Sequence, residues 1–352
     1  MLRHVIVSSV LITLALLAKS PLSWAEEAVI YDKVIVYNWL DYIPAGVLDD
    51  FTKETGIKVE YSTFDSAEVM YARLKLLKGR GYDVLVPPTH LVSRMRDEGL
   101  LHPLDHSQLA NFKHLDPLLL NQSFDPKNAY SIPFLWGSTG IGIDSAKING
   151  GNIKKWADLW QKQWRGKLLL TDDMREIFHI ALRMKGYSTN TTNPEEIKQA
   201  YEKLRQLKPN IKLISVNPND DFKDGKANIG VTWNGEIASL QAEIPTMQYI
   251  YPQEGASFWM DSFVITSRSQ NVDNAHKFID YMQRPDIAAR CVTELGYASS
   301  NLAAKALLDK AILKNSIIYP SSNVMATLEF KKDVGKTMEL YELYWGKLKG
   351  GD

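Results

Sequence analysis

Between Val34 and Val86 the sequence alternates between strand-like runs and helix-like spacing, and this alternation restricts the fold more than any other feature. Val34-Ile-Val-Tyr, Ile57 to Tyr61 and Val84-Leu-Val are short apolar runs of the kind that form buried strands. After the first run, Pro44 opens a helix at a position where its missing N–H costs little. Val47, Leu48 and Phe51 give that helix its apolar face, and Gly56 ends it. Val69, Leu74 and Leu77 mark a second helix that stops at Gly79, and Pro87-Pro88 halt the third strand. Strands joined by helical crossovers lie parallel in one sheet. Ligands of such sheets sit beyond the carboxyl ends of the strands. Here those ends are Asn38-Trp39, Ser62-Thr63 and Pro88-Thr89.

The alternation resumes further on. Residues 138–143 read as a strand crossing into a second region. Leu168 to Leu170 and Ile229 to Thr232 read as strands there, and 175–185 and 194–207 as helices. Phe258 to Ile265 is apolar again and reads as a strand crossing back, before helices at 274–282 and 286–295. A chain of 352 residues is too long for one simple core. No low-complexity linker divides it, so two lobes joined by strands, a hinge architecture, is the expected arrangement.

The N-terminus stands apart. Arg3 and His4 precede an apolar run from Val5 to Leu17, and Ser23-Trp24-Ala25 places small residues where a signal peptidase reads them. The run is shorter than the roughly 20 residues needed to span a bilayer. A cleavable signal peptide over residues 1–25, with export to the periplasm, is therefore expected. Of 41 basic side chains, removal of Arg3 and Lys19 leaves 39 against 41 acidic ones, so no basic excess recruits nucleic acid. The sole cysteine, Cys291, lies in a run with helical spacing and reads as a small buried filler.

Catalytic signatures are missing: there is no phosphate-binding Gly-x-x-x-x-Gly-Lys loop, no Gly-x-Ser-x-Gly elbow and no His-Glu-x-x-His pair. His102 and His106 are separated by Pro103, which argues against one helix presenting both to a metal. More informative are the segments that combine aromatics with acids: Trp39-Leu-Asp-Tyr, Thr171-Asp-Asp-Met-Arg-Glu, Thr232-Trp-Asn-Gly and Trp259-Met-Asp. Each falls at a strand end or a crossover. Such a set suits an alkyl polyamine, whose ammonium groups need carboxylates and whose methylenes need aromatic walls. Singly, each segment also has an ordinary reading. Asp172 or Asp173 serves as a helix N-cap, the tryptophans as core, and Asp41 as a solvated loop residue.

The blocks Tyr37-Asn-Trp-Leu-Asp-Tyr-Ile-Pro, Tyr82-Asp-Val-Leu-Val-Pro, Leu168-Leu-Leu-Thr-Asp-Asp-Met-Arg-Glu, Phe258-Trp-Met-Asp-Ser and Gly296-Tyr-Ala-Ser-Ser-Asn run through nearly the whole chain after residue 25. In these blocks the sequence resembles the spermidine/putrescine-binding proteins of bacterial polyamine ABC transporters. The resemblance implies an α/β, two-lobed periplasmic-binding-protein (Venus-flytrap) fold. Each lobe would be a mixed sheet flanked by helices, with crossover strands between them. It places one lobe at 26–138 with 260–305 and the other at 139–259 with 306–352. It implies a monomeric binding protein without enzymatic activity, cofactor or metal, which captures polyamine between the lobes and delivers it to a membrane permease. Alternatives are another cationic ligand on the same fold, or a periplasmic polyamine sensor.

By position, the resemblance makes Asp173, Glu176 and Asp261 the main ammonium partners, and Tyr42, Trp233, Trp259 and Tyr297 the walls. Trp39, Asp41, Thr89, Ser215 and Lys331 complete the expected set, with Asp172 left as the better cap. Several positions depart from the family pattern. Asp41 replaces a Glu, Leu40 a small hydroxyl residue, Pro88 a Ser, His90 an aromatic, and Lys331 a Gln. These departures are expected to gather at one end of the site, with the Glu176–Trp259–Asp261 end intact. The far end would then read a shorter diamine, or spermidine through waters, and the Lys331 ammonium would repel a ligand ammonium.

Overall fold

The alternation over the first three strands folds as a parallel layer in the computed structural model, which describes residues 32–350. The expected signal peptide lies outside the described residues. Strand β1 (Lys33–Trp39) pairs in parallel with β2 (Lys58–Phe64) on one side and β3 (Val84–Leu85) on the other. Helix α1 (Val47–Thr55) buries Val47 and Phe51 and ends at Gly56. That glycine is left-handed at φ 74°, and its N–H returns to the Thr52 carbonyl, a conformation that costs glycine nothing. Helix α2 (Ala67–Leu76) is set one step out of the expected phase. Its buried face is Ala67, Met70 and Leu74, whereas Val69 and Leu77 face outward, Val69 with 55% exposure. The Ser66 cap, which accepts from the Val69 N–H, fixes the helix start.

Helix α3 (Thr89–Asp97) and the short β4 (Leu101–His102) lead to the long strand β5 (Ser131–Asp144). The second half contains β6 (Leu168–Thr171), α4 (Met174–Met184), α5 (Pro194–Leu207), β7 (Ile211–Ser215) and α6 (Pro218–Lys223). It continues with β8 (Ile229–Trp233), α7 (Asn234–Leu240) and β9 (Met247–Ile250). Strand β10 (Ser257–Thr266) then returns the chain to α8 (Val272–Met282) and α9 (Pro285–Leu295). Two short strands follow, β11 (Ala298–Ser299) and β12 (Glu329–Phe330).

One hydrogen-bonded path, β2-β1-β3-β10-β5-β8-β6-β7, connects all of this. Its two ends are parallel, β1–β3 at one and β6–β8 at the other, and β10 and β5 join them antiparallel. Strand β5 feeds two separate cores. Ile132, Phe134 and Leu135 pack with Val34, Phe51 and Phe278, while Ile141 and Ile143 pack with Trp156, Leu168 and Phe178. Each fully buried side chain of this size contributes about 1.5–3 kcal/mol, so both cores supply large favourable burial terms. The molecule is therefore a two-lobed α/β protein whose lobes share the β5–β10 ladder. The ladder runs from Ser257 opposite Thr139 to Val264 opposite Ser131, with a bulge between Met260 and Ser262. Cys291 is buried in the first core, and burial pushes its thiol up to about 12, which keeps it protonated and inert.

Candidate ligand-binding site

The strand ends of both lobes face one cavity of about 430 Å³. Trp39 closes β1, Trp233 closes β8, Trp259 lies on β10, and Asp173 follows β6 at the start of α4. Six aromatic side chains line the cavity, those of Trp39, Tyr42, Phe64, Trp233, Trp259 and Tyr297. Among the described residues nine carboxylates also line it, against a single cation, Lys331. The rings pack on one another: Trp259 meets Tyr297 at 5.2 Å between centroids, Tyr42 meets Tyr297 at 5.7 Å, and Trp39 meets Phe64 at 4.6 Å. Walls braced in this way hold their shape.

One pole of the cavity is built on α4. The Asp173 carboxylate accepts from the Glu176 N–H at 3.0 Å, so Asp173 is both a lining residue and the N-cap. Asp172, the expected cap, instead takes the Lys349 ammonium at 3.0 Å. The first turn of α4 buries Glu176 completely, where the positive end of the helix favours a carboxylate. Its Oε2 has no hydrogen-bond partner among the described residues. Lys331 follows β12, which runs parallel to β10, and its own N–H donates to the Phe258 carbonyl at 3.2 Å. The Lys331 ammonium donates to Glu176 Oε1 and stands 3.8 Å from Asp173 Oδ2. Burial opposes its charge, but the Asp173 and Glu176 carboxylates outweigh burial and hold it above the ordinary lysine range.

Asp261 occupies the bulge of β10 at the same pole. It accepts from the Tyr42 hydroxyl at 2.9 Å. Burial pushes its carboxyl up to about 7, against the pull of that hydrogen bond and of Lys331. Pro88 bridges the backbone of Asp261. His90 is held neutral, first by burial and then by the charges of Lys331, Arg175 and Arg94.

The other pole is built on α7. Glu236, in its first turn, accepts from the Tyr297 hydroxyl at 2.9 Å. Burial pushes Glu236 up to about 7, opposed by that hydrogen bond and reinforced by the charges of Asp41 and Asp220. A side chain at Gly235 would place its Cβ 2.2 Å from the Tyr297 ring, so only glycine allows the ring to lie against α7. Asp41 is in the left-handed region at φ 52°, which short polar side chains tolerate.

The cavity thus brings together Trp39, Asp41, Tyr42, Asp173, Glu176, Trp233, Trp259, Asp261, Tyr297 and Lys331. Thr89 and Ser215 do not line it. Thr89 is buried where it opens α3, and the Ser215 hydroxyl donates to Asp221 while accepting from the Asn217 N–H. Glu236, Asp220 and Phe64 line the cavity without having been read from the sequence. The departures from the family pattern do not gather at one end as expected. Leu40 and Asp41 belong to the cavity wall, Asp41 within reach of Glu236, whereas Lys331 sits on Glu176, in the pole taken to be intact. The Lys331 charge is balanced there by two carboxylates.

A two-lobed α/β fold with an acidic, aromatic cavity where its strand ends meet defines a solute-binding protein. Residues 46–318 match the model of the bacterial extracellular solute-binding proteins, and the chain belongs to that family. The chain is 45% identical over 322 residues to the spermidine/putrescine-binding periplasmic protein of Salmonella typhimurium, covering 91% of this chain and 92% of that one. It is 34% identical over 339 residues to a putrescine-binding periplasmic protein of Pseudomonas aeruginosa, covering 90% and 91%. Among solved structures, a putative spermidine/putrescine ABC transporter from Listeria monocytogenes superposes with a TM-score of 0.88 at 36% identity, over 91% of this chain and 100% of that one.

Proposed function

We propose that this protein is the polyamine-capturing component of an ABC importer, exported through a cleaved signal peptide and acting as a monomer in the periplasm without enzymatic activity. The observation that carries the reading is the charge balance of the cavity, nine carboxylates against one cation among the described residues, interleaved with six aromatic side chains. Ammonium groups leaving water must each be paired, and several acids at fixed positions supply those pairs. The aromatic rings cover the methylenes and add cation–π attraction of roughly 0.5–2 kcal/mol each. Lobes at 26–138 with 260–305 and at 139–259 with 306–352 would close on the ligand, since contacts to both favour the closed form. The closed form then docks on the permease.

Isothermal titration calorimetry of the ligand-stripped protein tests this reading, using putrescine, cadaverine, spermidine and spermine with ferric iron as control. One-to-one binding of a polyamine at micromolar affinity, about −8 kcal/mol, is the expected outcome. Folded protein that gives no heat with any polyamine would remove the assignment.

A further inference from the structure

Lys331 is a cation built into a cavity suited to cations. Its side chain is 4% exposed and reaches Glu176 and Asp173 from a backbone fixed by the β10–β12 pairing. We propose that the Lys331 ammonium permanently fills the position of one ligand ammonium, so that the cleft selects short linear diamines over triamines. This inference rests on the polyamine reading above.

The partners around Lys331 support that role. Glu176 Oε1 and Asp173 are committed to it, and neighbouring groups do not replace it. His90 is neutral. The Arg175 guanidinium is directed elsewhere, to the carbonyls of Lys332 and Thr189 and to the Asn190 side chain. At this pole the groups left for a ligand are Glu176 Oε2, which has no partner among the described residues, and Asp261. Together they are suited to one ammonium. Glu236, with Asp41 and Asp220 nearby, is suited to a second at the opposite pole. Trp259, Tyr42 and Tyr297 lie between the poles to cover an alkyl chain. A second ammonium drawn to the acids of the first pole, as a triamine reaching into it would place there, has to share them with Lys331, and like charges in close quarters repel.

The test is a titration of 1,3-diaminopropane, putrescine, cadaverine, spermidine and spermine into the wild type, Lys331→Met and Lys331→Arg, with thermal melts to confirm folding. The wild type should bind its best diamine at least tenfold more tightly than spermidine. Lys331→Met should shift that ratio at least tenfold towards spermidine, and Lys331→Arg should preserve the diamine preference. A wild type that binds spermidine as tightly as any diamine overturns the inference while leaving polyamine capture intact. A ratio that moves less than twofold in folded Lys331→Met also overturns it. If Lys331→Met does not fold, the wild-type ratio together with Lys331→Arg decides. A folded wild type that takes none of the amines overturns the polyamine reading itself, and the inference with it.

Discussion

The Tyr297 hydroxyl donates to Glu236 at 2.9 Å, which joins the turn after α9, packed on the first core, to the first turn of α7. The bond spans the cavity wall and ties together side chains from both lobes. Glu236→Gln keeps the shape and removes the charge. If Glu236 partners a ligand ammonium as proposed, this change should weaken polyamine binding by roughly 2–5 kcal/mol. Tyr297→Phe should cost less, about 1 kcal/mol, because Glu236 keeps its charge. Calorimetric titration of both variants checks the order, and equal losses would show that Glu236 does not face the ligand.

Asp261 should behave like Glu236 from the opposite pole. Asp261→Ala removes a buried carboxylate and frees the Tyr42 hydroxyl that donates to it. The expected loss of affinity is again roughly 2–5 kcal/mol. A loss smaller than tenfold would show that Asp261 is not a ligand partner.

Binding and stability should respond to pH in opposite directions. Burial raises both Asp261 and Glu236 to about 7. Ammonium binding needs the ionised carboxylates, so affinity should fall as the pH drops through about 7, and binding at pH 6.5 should release protons. Heats measured in buffers of different ionisation enthalpy would reveal that release. In the ligand-free protein both groups hold protons more tightly folded than unfolded. Their contribution to stability is fully present below about pH 4 and is lost as the pH rises through about 7, on the order of a few kcal/mol each. The double variant Asp261→Asn, Glu236→Gln should flatten this part of the curve; an unchanged slope in denaturant titrations would refute the assignment.

Gly235→Ala tests the wall without touching a charge. The added methyl would meet the Tyr297 ring at 2.2 Å and force it away from α7. Destabilisation of roughly 1–3 kcal/mol is expected from such overpacking, with weaker binding because Tyr297 is displaced. A melting temperature equal to that of the wild type would mean that the ring has room to move.

Much of this was legible in the residue pattern. Trp39, Asp41, Tyr42, Trp233 and Trp259 stand at strand ends or crossovers, where parallel sheets present their ligands, and the apolar runs mark those ends clearly. Glu236 was not legible, because an acid in the first turn of a helix has an ordinary explanation in the helix dipole. The signal available was its place three residues after Trp233, in a segment already singled out. The sequence brings Lys331 near the site but does not show its pole, since its partner Glu176 is 155 residues away in the chain. Only the pairing of β12 with β10, two short edges meeting late in the sequence, decides which acids it reaches. The phase of α2 is not legible from Val69, Leu74 and Leu77 alone, because packing buries Ala67 and Met70 with Leu74 and leaves Val69 outside.

The bulge in β10 has a mechanical consequence. Met260 and Ser262 flank Asp261 at an irregularity in the ladder that both lobes share. A carboxylate at that point acts at the fulcrum of two levers. A small torsion of the strand beneath it would swing the helices at both far ends through a much larger arc. If an amine pairs with Asp261 as proposed, its pull would act on the strand pair that both lobes share, and capture of the ligand and the posture of the lobes would become a single motion that needs no separate relay.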